Sequence, residues 1–416
     1  MRILKLTAKV ERVLLAARAQ RDAGAQRIAA RIIGDVRKRG DAALEHWARK
    51  LDGAELGRDG LWIGKRELQQ ALASVSPQFR RAAEHAARNI RAVTRQQMPR
   101  AWSMEVEAGV KISQLVRPIE AVGCYIPGGR FALVSTLLMT VVPAKLAGVK
   151  RIVVVCPKPN AEVLAAAQML GVNAVARIGG AQAIAGLAYG TKLMPRVDKI
   201  FGPGNKFVTA AKQLVSGDCA IDLPAGPTEA VVLAADGDAR FIAADLLAQA
   251  EHAPDAGSFL VTTSRRLAQR VQKAVTEQLT LLSADNLARV SIEESGAILL
   301  AATTESACEF VNRFAPEHLS LPKGGALLER VTAAGTVFVG PLGAQPLGDY
   351  ASGSNHVLPT GGWARSRAGL SAADFVKCIS VQTISRRGFA GLADDVITLS
   401  NAEGLMAHAN AVKVRQ

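Results

Sequence analysis

Arg151-Ile-Val-Val-Val-Cys156 is, after its first residue, a continuous apolar run closed by Pro157, and a helix-like stretch from Ala161 to Leu170 follows it. Apolar residues without polar alternation are how a strand reads when a parallel sheet is covered on both faces. The unit then repeats. A short strand near Ala174 to Ile178, a helix from Ala181 to Ala188, a strand from Asp198 to Phe201 and a helix from Lys206 to Val215 give successive β-α steps, the pattern of a doubly wound parallel sheet. Ala230-Val-Val-Leu-Ala234 returns to the same texture. Ser258-Phe-Leu-Val-Thr262, Ala297-Ile-Leu-Leu300 and Val337-Phe-Val339 continue it, so a second sheet is expected after the turn at Thr228. The class is α/β.

The chain has 416 residues, 49% apolar and 4% aromatic, enough for two or more cores at roughly 100 to 200 residues each. No apolar run reaches a membrane span, and Met1-Arg-Ile-Leu-Lys5 lacks the features of a signal peptide, so a cytoplasmic protein without membrane contact is expected. The five cysteines (Cys124, Cys156, Cys219, Cys308, Cys378) are scattered with no Cys-x-x-Cys pair, and read as reduced core residues. The formal charge of +15 would permit nucleic-acid binding. The basic residues near the N-terminus are instead spread through helix-like sequence without aromatic interleaving, as on a solvated face, so no nucleic-acid partner is expected.

Val10 to about Leu51 reads as two or more helices interrupted at Gly24 and Gly40, and a long helix is expected from Glu67 to Gln97. His46 and His85 on these helices read as surface residues. After Gly109 the texture becomes strand and turn, leading into Pro127-Gly-Gly129 and then the helix-like Ser135 to Ala147. Backbone amides at such a turn can approach a ligand closely. Gly179-Gly-Ala-Gln182 and Gly202-Pro-Gly-Asn205 are two more glycine turns opening helices. The second resembles half a dinucleotide fingerprint, with Phe207 where the third glycine would stand; structural turns and cofactor loops both remain open readings.

The remaining polar chemistry gathers around four histidines: His252, His318, His356 and His408. Asp245-Leu-Leu-Ala-Gln-Ala-Glu-His252 reads as the end of a helix begun near Asp238, placing Asp245, Gln249 and His252 on one face, with His252 in the last turn before Pro254. Asp349 adds a carboxylate beside the Gly-rich loop Gly348 to His356. A Gln, Asp and His set with no thiolate suits Zn²⁺ first and Mn²⁺ second. In Ala315-Pro-Glu-His-Leu319 an acid and an imidazole are adjacent at the edge of a strand, and such a pair can handle two different protons. A salt-linked surface turn is the alternative for that motif, and a zinc hydrolase using Glu317 and His318 is the rival for the whole set.

These residues carry a resemblance. The chain resembles the histidinol dehydrogenase family over essentially its whole length, through Val122-Gly-Cys-Tyr-Ile-Pro-Gly-Gly129, Ile178-Gly-Gly-Ala-Gln-Ala-Ile-Ala185, Gly202-Pro-Gly-Asn205, Asp222-Leu-Pro-Ala-Gly-Pro-Thr-Glu229, Leu247-Ala-Gln-Ala-Glu-His252, Asn312-Arg-Phe-Ala-Pro-Glu-His-Leu319, Gly348-Asp-Tyr-Ala-Ser-Gly-Ser-Asn-His-Val-Leu-Pro359 and Glu403-Gly-Leu-Met-Ala-His408. The order and joint presence of these blocks are specific. The resemblance implies an NAD-dependent, zinc-dependent oxidation of L-histidinol to L-histidine through an enzyme-held aldehyde, with two NAD⁺ used in sequence. It implies Gln249, His252, Asp349 and His408 as zinc ligands. Thr228, Gln249, His252, His318, Asp349, Glu403 and His408 follow as substrate contacts with His356 nearby, and Tyr125, Gln182 and Asn205 as NAD contacts. His318 would take the alcohol proton and Glu317 would activate water.

Two departures from the family pattern are Thr228, where serine is usual, and Arg130-Phe131 after the Pro-Gly-Gly turn; a related alcohol such as a sulfonated diol is the alternative substrate. The implied architecture is two Rossmann-like parallel-sheet domains, one inserted in the other, with small helical terminal segments. The expected division is a 1–21 N-terminal segment, a discontinuous metal and catalytic domain of 22–124 and 229–371, an NAD-binding domain of 125–228, and a 372–416 segment that wraps onto a twin chain. His408 would then complete the partner's metal site in a homodimer.

Overall fold

Two six-stranded sheets carry the fold, and the computed structural model describes residues 1–18, 22–56, 60–128, 132–223 and 226–416. Strands are numbered along the chain. In one sheet β7 (Val175–Ala176), β6 (Arg151–Val155), β5 (Ala121–Tyr125), β8 (Lys199–Phe201) and β9 (Ala220–Ile221) run parallel in that order, with β2 (Trp62–Ile63) antiparallel on the edge. In the other, β1 (Arg2–Lys5), β12 (Gly296–Leu300), β11 (Gly257–Thr262), β10 (Glu229–Leu233), β13 (His318–Leu321) and β14 (Thr336–Val339) are all parallel. Every strand of the first sheet lies, in sequence, between β1 and β10 of the second. A third, antiparallel sheet joins β15 (Val376–Ile384), β4 (Val110–Pro118) and β3 (Trp102–Glu107).

Each parallel sheet winds out from its centre in both directions. The order reverses between β5 and β8 in one and between β10 and β13 in the other, and ligands of doubly wound sheets collect at such reversals. Gly202 follows β8 with φ 111°, and a Cβ there would collide with the carbonyl oxygen of Tyr125 at the end of β5, so the two strand ends can converge only without a side chain.

Several elements differ from the sequence reading. The helix expected from Glu67 to Gln97 is two, Lys65–Ser74 and Pro77–Gln97, because Ser76 caps the second and Pro77 occupies its first turn. Gly24 does not interrupt a helix but lies inside Ala23–Arg39, capped by Asp22. Both terminal segments include strands, β1 and β15, beside their helices Ala8–Arg18, Arg386–Ala402 and Met406–Lys413. Cys378 is exposed on β15, unlike the other four cysteines, which are buried. Arg130-Phe131 and Gly129 lie outside the described residues.

The packing of residues 23–74 also departs from the expected grouping of 22–124 with 229–371. Helix Ala23–Arg39 packs on the helices Gly180–Tyr189 and Lys206–Val215, and Lys65–Ser74 packs on Ala161–Met169, so both cover the β5–β9 sheet. Ile32, Ile33 and Val36 share a buried cluster with Ala181, Ala185, Ala188 and Ala211. Alanines present little bulk, which lets larger aliphatic side chains seat close to the facing helices. The expected boundary at 124/125 falls within β5, whose last residue is Tyr125.

Candidate active site

His318 opens β13, with Glu317 immediately before it, beside the order reversal of the second sheet, and His318 is in register with Ala230 of β10. The approach is sharp: helix Thr304–Phe314 ends at Ala315, whose φ of 48° is the only positive value among described non-glycine residues, and Pro316 follows. The pair is not a surface turn, since Glu317 is 6% and His318 4% exposed. Such burial needs partners. Glu317 Oε2 accepts from Thr228 Oγ1 at 2.5 Å and from the Glu229 amide at 3.0 Å, both just before or at the start of β10.

Thr228 extends the network. Its Oγ1 accepts from Gln249 Nε2 at 2.9 Å, and Gln249 Oε1 accepts from Gln345 Nε2 at 2.7 Å. Gln345 Nε2 also stands 3.4 Å from His318 Nδ1, so one buried amide reaches both the glutamine and the imidazole. His318 Nε2 faces Asp349 Oδ1 at 3.5 Å, an ion-pair distance, and is a buried nitrogen without a hydrogen-bond partner. His356 fixes the loop behind Asp349. Its Nδ1 meets the Asp349 carbonyl at 3.0 Å and its Nε2 meets Thr136 Oγ1 at 3.1 Å. Asn355 and Asn89 anchor the same loop, through Met139 O at 2.7 Å and Ala351 O at 2.8 Å respectively.

The electrostatics follow from this packing. Burial raises the Glu317 carboxyl above the ordinary 4.5, against the pull of His318 and its two donors. Burial alone would lower His318, but the Glu317 and Asp349 carboxylates outweigh it and raise the imidazole above 6.5. Asp349 is itself held below 3.8: burial opposes ionisation, and the facing His318 prevails with help from His356 and His252. His356 is pushed down by burial.

His252 lies just beyond helix Ala239–Ala250, which starts at Asp238 as expected but ends two residues before the histidine. It is exposed, near enough for its charge to be felt at Asp349. Glu403 and His408 are elsewhere. They sit at and beyond the end of helix Arg386–Ala402, both exposed, and take no part in the network above. Among the described residues no three His, Cys, Asp or Glu side chains are grouped closely enough to hold a metal ion.

Tyr125 is the last residue of β5, and Gln182 and Asn205 follow the carboxyl ends of β7 and β8. The Tyr125 hydroxyl accepts from the Gly180 amide at 3.2 Å, and its burial raises the phenol pKa. Gln182 Nε2 donates to Asp52 Oδ2 at 3.0 Å, which also accepts from the Gly179 amide at 3.0 Å, while Gln182 Oε1 is buried with no partner. Asn205 is exposed and caps helix Lys206–Val215 through the Phe207 and Val208 amides. The turn before it is held from beneath by the buried ion pair of Lys212 with Asp222: Lys212 Nζ donates to Gly202 O at 2.8 Å and Asp222 Oδ2 accepts from Gly202 N at 2.7 Å.

Comparison with known proteins decides the family. The histidinol dehydrogenase family model matches residues 15–416. The chain belongs to the histidinol dehydrogenase family. It is 47% identical over 396 residues to the histidinol dehydrogenase of Xylella fastidiosa, covering 93% of this chain and 91% of that one. The Methanosarcina barkeri histidinol dehydrogenase is 44% identical over 393 residues, covering 92% and 90%. The crystal structure of histidinol dehydrogenase from Elizabethkingia anophelis superposes with a TM-score of 0.93 at 35% identity, covering 100% of this chain and 98% of that chain. As a member of this family the protein is an oxidoreductase of the final oxidation steps of histidine biosynthesis, and the sulfonated-diol alternative is not favoured.

Sequence reasoning missed Gln345, Asp52 and Thr136. Gln345 was within reach, because it stands one helical turn before Asp349 on the helix Gln345–Tyr350. Asp52 and Thr136 lie 130 and 220 positions from the side chains they contact, and no spacing links them.

Proposed function

We propose that the Glu317–His318 pair performs the proton chemistry of a four-electron oxidation of L-histidinol to L-histidine through L-histidinaldehyde. The observation that carries this reading is an acid and an imidazole buried side by side and tied through Thr228, Gln249 and Gln345 into one network. His318, whose imidazole is made a stronger base, against the opposing effect of burial, by the Glu317 and Asp349 carboxylates, takes the proton from the substrate hydroxyl. His318 releases that proton to solvent before the second oxidation; Glu317 takes a proton from the water that adds to the aldehyde, and the neutral His318 then accepts the proton of the resulting hydrate. Two adjacent bases thus serve two different steps. Tyr125, Gln182 and Asn205 are assigned to NAD; the orphaned Gln182 Oε1 is an acceptor awaiting a donor. NAD⁺ supplies the hydride acceptor for both oxidations.

Gln249, His252 and Asp349 are assigned to Zn²⁺, with Mn²⁺ second. Amide oxygen, imidazole and carboxylate are the right donors, and the buried His318 Nε2, without a hydrogen-bond partner and 3.5 Å from Asp349 Oδ1, gives the same place a further polar atom able to face a bound group. Held by these residues, Zn²⁺ would supply a Lewis acid that fixes the imidazole and amine of the substrate in place. Thr228, Gln249, His252, His318, Asp349 and His356 supply this chain's substrate contacts. This chain would supply three of the four assigned donors. His408 would supply the fourth from a second copy in a homodimer, and Glu403 of the same terminal arm would contact the substrate, which makes the site a shared one. The terminal arm suits that role, because Leu399 is 66% and Met406 65% exposed on it and Met104 is 52% exposed on the adjoining sheet. No helix is long and apolar enough to cross a membrane; a cytoplasmic location is part of the proposal.

The test is NADH absorbance with L-histidinol before and after chelation. Two NADH per histidinol, lost on metal removal and restored by Zn²⁺, are expected; one NADH per alcohol, or full activity in the stripped protein, overturns the reading.

A further inference from the structure

We infer that Arg18, at the end of the N-terminal helix, is a positioning residue that sets the aim of the Glu317 carboxylate. The inference rests on the proposed role of Glu317 as the base for water. Arg18 is a long way from Glu317 in sequence, yet its guanidinium reaches both pieces of backbone that decide where that carboxylate sits.

The first piece is the start of β10. Arg18 forms a forked ion pair with Glu229, with Nε to Oε2 at 2.6 Å and a second contact from NH2 to Oε1, and the two side chains are 11% and 5% exposed. Glu229 Oε1 also accepts from the Gly361 amide at 3.2 Å. The side chain of Glu229 is therefore pinned on one side of the strand, while its amide donates to Glu317 Oε2. Movement of Glu229 would shift that amide and the neighbouring Thr228 hydroxyl together, and these are the two donors to one carboxylate oxygen.

The second piece is the bend that leads into Glu317. Arg18 donates to Phe314 O and, at 3.4 Å, to Ala315 O, and its guanidinium carbon lies 3.6 Å from the centroid of the Phe314 ring. Ala315 is the residue with φ 48°, a conformation that a residue with a Cβ holds only when its surroundings enforce it. Arg18 satisfies the carbonyls of that bend two and three residues before Glu317. One rigid planar fork thus braces donor and acceptor sides of the same hydrogen bonds, which a flexible point charge would do less well.

The arrangement also explains why the fork is buried. Glu229 has its pKa raised to about 7 by burial, against the opposing pull of Arg18 and with Glu317 nearby. Without Arg18 a carboxylate would be left in a dry environment beside a second one, and the local backbone would move to relieve it. The Thr228–Glu229 segment is held on the β11 side, where Glu229 is in register with Gly257 and Thr228 O accepts from the Gly257 amide at 2.9 Å, but the pairing with β13 begins only at Ala230, so the side that faces Glu317 is the one that can shift.

The step affected is specific. Glu317 acts on water in aldehyde oxidation, whereas His318 alone serves alcohol oxidation. Arg18→Gln and Arg18→Lys should therefore slow oxidation of supplied L-histidinaldehyde by about tenfold or more, a loss typical of sub-ångström to ångström misplacement of a catalytic group. The first hydride transfer from L-histidinol in a single turnover should stay within about threefold of wild type. Arg18→Lys keeps the charge and loses the fork, so it should lie between wild type and Arg18→Gln. It also serves if Arg18→Gln folds poorly. The double variant Arg18→Gln/Glu229→Gln should recover part of the aldehyde rate, because no charge is left unpaired. Equal slowing of both half-reactions in Arg18→Lys, or no slowing of either, overturns the inference while leaving the proposed function intact. A wild-type protein inactive on both substrates overturns the proposed function instead.

Discussion

Thr228 Oγ1 donates a 2.5 Å hydrogen bond to Glu317 Oε2 while accepting from Gln249 Nε2, so one hydroxyl joins the acid of the proposed base pair to a proposed metal ligand. The family resemblance makes serine usual here; threonine keeps the hydroxyl and adds a methyl group. Thr228→Ser should leave kcat nearly unchanged. Thr228→Val, of the same shape, removes a hydrogen bond to a buried charged group, which costs about 1.5–3 kcal/mol. Aldehyde oxidation should then slow roughly ten- to a hundredfold. The sign in pH follows. Burial already raises the Glu317 pKa, and losing a donor raises it further, so the acid limb of the aldehyde rate should move to higher pH. An unshifted limb in Thr228→Val would separate Thr228 from the base.

His318 and Glu317 should fail at different steps. His318→Gln removes the base used in both oxidations and should lower kcat by roughly 10²–10⁴ for alcohol and aldehyde alike. Glu317→Gln should spare the first oxidation and stall at the aldehyde, measurable as one NADH per site in a rapid burst. Burial works against the imidazolium, but the flanking carboxylates raise His318 above 6.5, and its base form is neutral. Alcohol oxidation should therefore rise with pH through a value above 6.5. A profile flat from pH 6 to 9 would assign the base elsewhere.

The α/β class was legible because buried parallel strands leave continuous apolar runs such as Ile152 to Val155, and because glycine turns punctuate them. The adjacency of Glu317 and His318 was legible for the same local reason. What sequence could not show is burial: nothing in Ala315-Pro-Glu-His-Leu319 separates a surface turn from a cleft, and the difference comes from Thr228 and Glu229, some 88 positions away. The placement of helix Ala23–Arg39 was missed because its apolar face fits any alanine-rich surface, and only three-dimensional packing selects the β5–β9 side. His252 was expected inside its helix, but the backbone leaves helical geometry after Glu251, two residues ahead of Ala253, the position that Pro254 constrains.

Asp245 offers a test of stability. Burial alone raises its pKa from 3.8 to about 6. The folded state therefore binds its proton more tightly than the unfolded chain, and stability falls as pH rises from about 3.8 through about 6. Asp245→Asn removes this term. The variant should be more stable at pH 8 by roughly 1–3 kcal/mol, the lower end reflecting partial contact with water, which screens the penalty. The gain should shrink through pH 6 and vanish near pH 4. Denaturant unfolding at these pH values reads it directly, and a gain independent of pH would place its origin in helix propensity instead.

His408 gives the sharpest test of a shared site, because the chain that carries it and the chain that uses it can be disabled separately. In this chain His408 is exposed and stands outside the network of Glu317, His318 and Gln345. His408→Ala homodimers should lose zinc affinity and activity, and His318→Gln homodimers should lose activity with zinc retained. Unfolding and refolding an equal mixture forms hybrids that hold one intact site, built from the first variant's own pocket and the second variant's terminal arm. Random pairing then restores about a quarter of wild-type activity. If His408 instead served its own chain, every hybrid site would contain one lesion. The mixture would stay as inactive as its parents.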